Sequence, residues 1–151
     1  MPRPVKTPRV ESLERVVLCI DDNDVLLECY KEFLEDFGFK VLVAPCGRRG
    51  LELAELSLVD LVLLDYQMPE MDGFQVTAKL RRTCPGTPII LLSGAVDIPA
   101  PMLELVDGFV PKADLTRRLL PAIAELIGMP KLPSQAAKAP SERPSIASAS
   151  I

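Results

Sequence analysis

The stretch Leu61-Val62-Leu63-Leu64-Asp65-Tyr66-Gln67-Met68-Pro69-Glu70-Met71-Asp72-Gly73 constrains this chain more than any other, because an apolar run ends on a carboxylate and then turns sharply. A continuous Leu/Val run bounded by turn residues suits a strand buried on both faces of a parallel sheet. Asp65 then stands at the carboxyl end of that strand, where open α/β sheets bind ligands. A second apolar run, Val16-Val17-Leu18-Cys19-Ile20, ends on Asp21 and Asp22. Two such strand ends side by side would bring these carboxylates into one small volume. Like charges at close range raise one another's pKa unless a bound cation offsets the repulsion. An oxygen-only donor set points to magnesium, which keeps several waters and prefers one or two carboxylates plus a phosphate oxygen. The pattern therefore predicts phosphoryl-transfer chemistry, with the phosphate supplied from outside or placed on Asp65.

Composition narrows the class. A chain of 151 residues, 48% of them hydrophobic, is long enough for one well-buried core and short for two domains. Residues 1–14, with Pro2, Pro4 and Pro8, and residues 129–151, rich in Pro, Ser and Ala, are expected to be disordered extensions around a single domain at 15–128. No apolar stretch approaches the length of about 20 residues that spans a bilayer, and the N-terminus has no apolar signal region, so a cytoplasmic location is expected. The chain has no histidine, which excludes a histidine general base, a catalytic triad and a role as histidine phosphodonor. Cys19, Cys29, Cys46 and Cys84 form no Cys-x-x-Cys pair and are expected to be reduced and mostly packed. A pI near 4.9 leaves no basic footprint for nucleic acid, so direct DNA binding is not expected.

Between the extensions, apolar runs alternate with segments of helical period, the pattern of a parallel sheet covered by helices on both faces. Strands are predicted at 15–20, 40–44, up to Asp65, 88–93 and 108–110. Helices are predicted from Asn23 or Asp24 to Gly38, at 48–56, from near Gly73, and from Asp114 onward with Pro121 inside. Pro99 and Pro101 leave only Met102–Val106 for a fourth, shortened helix. Arg48-Arg49 and Arg81-Arg82 are expected on solvated helix faces.

The strand ends then carry, in order, Asp21/Asp22, Asp65, Ser93 and Lys112. This ordered set resembles the receiver domain of bacterial two-component response regulators over roughly residues 15 to 128. The resemblance implies a doubly wound, flavodoxin-like α/β fold with strand order 2-1-3-4-5. It implies Asp65 as phosphoacceptor, Asp22 as Mg2+ ligand with Asp21 acting mainly through water, and the Gln67 backbone carbonyl as a further ligand. Lys112 would be the fixed counter-charge. An ammonium about 4 Å from a phosphoryl group gains roughly 4 kcal/mol per unit charge at an effective dielectric of 20, before desolvation. Ser93 would donate its hydroxyl to the phosphoryl group, with Phe109 turning inward as Ser93 moves. Gln67 and Ala95 would flank the path of hydrolytic water.

Two departures stand out. Receivers usually carry proline after the lysine in a cis peptide, whereas Ala113 follows Lys112 here, and a non-proline cis bond costs about 2.5–4 kcal/mol. The short fourth helix also alters the face formed by helix four, strand five and helix five, through which receivers commonly bind partners.

The function implied is a stand-alone receiver that takes a phosphoryl group from a histidine kinase or histidine phosphotransfer protein and signals to a downstream protein. It would not be an enzyme beyond catalysing its own phosphorylation and dephosphorylation. Two alternatives remain at this level. One is a receiver-like module that binds partners independently of phosphorylation. The other is a haloacid dehalogenase-like phosphatase, in which Asp22-Asn23-Asp24 would be the nucleophile motif.

Overall fold

A computed structural model describes residues 14–94 and 97–130. The expected extensions at 1–14 and 129–151 lie outside these residues, apart from Glu14, Met129 and Pro130, and so does Ala95. Five strands, β1 (Val16–Ile20), β2 (Lys40–Ala44), β3 (Leu61–Asp65), β4 (Ile89–Ser93) and β5 (Gly108–Pro111), form one sheet in the order β2-β1-β3-β4-β5. All neighbouring pairs are parallel. The helices are α1 (Asp24–Asp36), α2 (Gly47–Leu56), α3 (Gly73–Thr83), α4 (Ala100–Leu105) and α5 (Leu115–Ile127).

The apolar strands have two usable faces because successive side chains point to opposite sides. Val17, Cys19, Leu61, Leu63, Ile90 and Leu92 pack with Leu27, Tyr30 and Leu34 of α1 and Leu119 and Ile123 of α5. Leu18, Ile20, Val62, Leu64, Ile89 and Leu91 pack with Ala54 of α2, Val76 and Leu80 of α3, and Met102 of α4. The doubly wound class expected from the sequence is the class found.

Local chemistry sets the ends of the elements. Asn23, not Asp24, caps α1, accepting from Leu26 N at 3.1 Å. Gly38, at φ 95°, reverses the chain after that helix, while Phe39 N donates to Leu34 O. Helix α4 is six residues long, with Pro101 in its first turn, where a missing N–H costs nothing. The last helix opens at Asp114, as expected: Asp114 is the N-cap of α5, and a 3-10 turn, Lys112–Asp114, leads into it. No peptide bond among the described residues is cis, so Lys112–Ala113 is trans.

Candidate functional site

Register builds the site. Ile20 pairs with Leu64, so the residues that follow β1 emerge beside Asp65. Asp21 and Asp65 continue the parity of Cys19 and Leu63 and leave the sheet on the face covered by α1 and α5. Across the sheet, Asp65 pairs with Leu92 and Ser93 with Pro111, which places Ser93 and then Lys112 at the same edge.

One carboxylate oxygen from each of Asp21, Asp22 and Asp65 lies within 4.8 Å of the others. Asp21 and Asp65 are buried, at 0% and 4% exposure, while Asp22 faces solvent. The Lys112 ammonium reaches into the group, with Nζ 2.9 Å from Asp65 Oδ1 and 3.2 Å from Asp21 Oδ2. The carboxylates and lysine that the sequence marked from three distant segments are thus in one place. Burial drives the Asp65 pKa up to about 6; the hydrogen bond and charge of Lys112 pull against this, and Asp21 and Asp22 add to it. Burial also works against the Lys112 charge, but the hydrogen bond to Asp65 and the Asp21 and Asp65 charges outweigh it, and its pKa lies above the ordinary lysine value. The site holds more negative charge than its lysine offsets. Its donor atoms are hard oxygens grouped closely enough for one small cation, so the residues fit Mg2+.

The loop after Asp65 is held tightly. Gly73 N donates to Tyr66 O at 2.8 Å, and a Cβ on Gly73 would sit 2.9 Å from Tyr66 Cα and 3.2 Å from Asp65 O. Only glycine lets α3 start this close behind the carboxylate. Asp72 caps α3 in a reciprocal capping box with Gln75. Glu70 takes a left-handed φ of 71°, uncommon for a residue with a side chain. Gln67 is exposed and lines a cavity of about 500 Å³ with Tyr66, Met68, Pro69 and Asp72. Asp22 opens onto a second cavity of about 240 Å³, shared with Cys46, Arg48, Met68 and Glu70.

Ser93 is 1% exposed at the end of β4. Phe109, opposite Leu91, is half-buried against the cluster containing Met102 of α4. Ser93 follows Ile89 and Leu91 in parity, and these two share with Phe109 the cluster that includes Met102 of α4. Asp24, which the phosphatase alternative requires in the site, instead opens the first turn of α1 and stands outside the carboxylate group.

Two residues escaped the sequence reading. Tyr30 Oη donates to Asp21 Oδ2 at 3.1 Å, a buried contact; in sequence it is one more apolar position of α1. Arg81, expected on a solvated face, is only 26% exposed and donates to Leu105 O, Thr87 O and Asp107 Oδ2. Its partners come from beyond its own helix, so helical periodicity carried no sign of them.

The model of the response regulator receiver domain matches residues 17–123, most of the chain. The chain belongs to the response regulator receiver family. Among solved structures, it is similar to TrrA of Thermotoga maritima in complex with Mg2+ and BeF, with TM-score 0.70 and 26% identity over 74% of this chain and 98% of that one. It is also similar to a receiver domain protein of Clostridium thermocellum, with TM-score 0.69 and 28% identity over 75% and 94% of the respective chains. Among curated relatives, the autoinducer 1 sensor kinase/phosphatase LuxN of Vibrio campbellii is 34% identical over 86 residues, 57% of this chain and 10% of that protein. The transcriptional regulatory protein GlrR of Escherichia coli is 37% identical over 83 residues, 55% of this chain and 19% of that protein. The chain thus spans a tenth to about a fifth of these relatives. Receiver domains are signalling modules that typically bind Mg2+ at an acidic pocket. Among the described residues, no helix is long and apolar enough to cross a membrane.

Proposed function

We propose that this receiver accepts a phosphoryl group on Asp65 in a Mg2+-dependent reaction and signals through protein contacts. The observation that carries the reading is Lys112 Nζ, 2.9 Å from Asp65 Oδ1 inside a group of three carboxylates. The donor would be a phosphohistidine on a histidine kinase or phosphotransfer protein, in keeping with the sensor kinase among the relatives. The unit responsible would be residues 15–128.

Asp22, Asp65 and the Gln67 carbonyl would hold Mg2+, with Asp21 beside them. Bound there, Mg2+ would neutralise charge on the incoming phosphoryl oxygens. An Asp65 carboxylate oxygen attacks phosphorus; the new O–P bond forms as the donor's P–N bond breaks, and the histidine leaves with the bonding pair. A carboxylate is a weak nucleophile, so positioning and electrostatics supply the rate. Lys112 follows the charge from the carboxylate onto the phosphoryl oxygens. The product carries close to two negative charges, and Ser93 donates its hydroxyl to one of its oxygens. Phe109, on the strand beside Ser93 and packed toward α4, would pass that movement to the surface.

Intact-protein mass after incubation with Mg2+ and acetyl phosphate tests this. A single phosphoryl adduct that requires Mg2+ and is absent from Asp65→Asn is the expected result. No adduct, with acetyl phosphate or with a histidine kinase, would leave a phosphorylation-independent binding module.

A further inference from the structure

We propose that Tyr30 is a positioning residue for phosphoryl transfer: its hydroxyl holds Asp21 Oδ2 so that Lys112 is free to leave Asp21 for the phosphoryl group on Asp65. The inference rests on the phosphoacceptor reading and deepens it.

Asp21 is fully buried, so bulk water cannot replace a donor it loses. Its Oδ1 accepts from Asn23 N at 2.9 Å. Its Oδ2 accepts from two side chains, Tyr30 Oη at 3.1 Å and Lys112 Nζ at 3.2 Å. Lys112 therefore divides its ammonium between Asp21 and Asp65 while the site is unphosphorylated. A phosphoryl group on Asp65 adds charge on one side of that division, and Lys112 is drawn toward it. Were Lys112 the sole side-chain donor to Asp21 Oδ2, its departure would strand a buried carboxylate oxygen, and that cost would oppose the transfer. Tyr30 removes the cost.

The tyrosine is built for constancy. Its ring belongs to the core cluster under α1 and α5, and the side chain is only 4% exposed. It also lines the cleft between the two helices together with Leu26, Phe33 and Leu119. Packing of the ring fixes where the hydroxyl sits, and the hydroxyl fixes the carboxylate. Asp21 so held has each oxygen in contact with a protein donor, which fixes its orientation beside Asp22 and Asp65.

A double-mutant cycle tests the proposal, because a residue acting through Asp21 loses its effect once Asp21 no longer carries the charge. The proteins are wild type, Tyr30→Phe, Asp21→Asn and the double variant, with Phe retaining the ring packing. The readouts are Mg2+ affinity by calorimetry and the phosphorylation rate constant from acetyl phosphate at saturating Mg2+. In the native background Tyr30→Phe should slow phosphorylation roughly fivefold or more while changing Mg2+ affinity by less than about twofold. In the Asp21→Asn background its effect on rate should shrink to less than about twofold. An equal loss in both backgrounds would mean that Tyr30 only supports packing, and no loss in either would overturn the proposal directly. A crystal structure of the unmodified protein with Mg2+ and BeF3− gives a test that does not depend on folding of the variants. Lys112 should have left Asp21 while Tyr30 keeps it; Lys112 still on Asp21 overturns the inference. A wild type that takes no phosphoryl group from any donor sinks the phosphoacceptor reading as well, whereas a phosphorylated wild type with a flat cycle sinks this inference alone.

Discussion

The acidic edge at the ends of β1 and β3 and the clamp beneath α4 are made from the same kinds of group, with opposite results. At the edge, Asp21, Asp22 and Asp65 crowd within 4.8 Å and share one lysine, so charge is left over. At the clamp, one arginine meets one aspartate at 2.8 Å, and the remaining guanidinium N–H groups reach the Leu105 and Thr87 carbonyls. Asp107 completes the clamp by accepting from Ile89 N at 2.9 Å. The clamp is balanced and ties α4 to β4; the edge is unbalanced, and burial and the neighbouring carboxylates favour the protonated form of Asp65 there. Helix α3 joins the two, starting against the Asp65 backbone at Gly73 and ending with Arg81 in its last turn. A balanced and an unbalanced set of charges thus stand at opposite ends of one helix.

The largest effect should come from breaking the balanced side. Arg81→Ala strands the part-buried Leu105 and Thr87 carbonyls and removes the ion pair to the exposed Asp107 carboxylate, and should cost about 2–4 kcal/mol in urea unfolding. A loss no greater than that of an exposed helix arginine would erase the contrast.

Relieving the unbalanced side should do the reverse. Without Mg2+ at pH 7, Asp65→Asn should stabilise the protein by about 1–3 kcal/mol, since the native carboxyl is held at about 6 against an ordinary 3.8. The sign follows from proton binding. Between these values the folded protein binds the proton more tightly than the unfolded chain, so the Asp65 contribution is fully present below about 4 and is lost as pH rises through about 6. The advantage of the Asn variant should therefore be close to nil at pH 4 and fully grown by pH 7. A gap of constant size across that range would show that Asp65 is not the strained group. Mg2+ at pH 7 should raise the thermal midpoint of wild type more than that of Asp65→Asn, because it stabilises only the state that binds it. Equal shifts would place the cation elsewhere.

The helix between the two regions sharpens the comparison at smaller scale. Asp72→Ala removes the capping box of α3 and should cost about 1 kcal/mol in chemical unfolding. A much larger loss would show that the cap also anchors the Asp65 loop.

The five apolar runs, their order along the chain and the residues at their ends were legible from sequence because a doubly covered strand must be apolar throughout. Asp65, Asp21, Asp22 and Lys112 stood out for the same reason: each polar residue terminates or follows a run that tolerates none. Helix ends were legible to within a residue or two where a cap or glycine marks them, as at Asn23 and Gly38. The 3-10 turn at Lys112–Asp114 that leads into α5 was not, because it is set by how the chain leaves β5.

Sequence alone thus determined the class of fold and the charged groups at its edge, since both follow from local patterns of apolar and polar residues. Only the tertiary structure decided which donor holds which acceptor. Tyr30 fills a core position by periodicity, and Arg81 reads as surface. Docking α1 on the sheet sets the hydroxyl over Asp21, and the meeting of α3 with the end of α4 encloses the guanidinium. A hydrogen bond of this kind depends on distances of about 3 Å between side chains from separate elements, and those are fixed by packing.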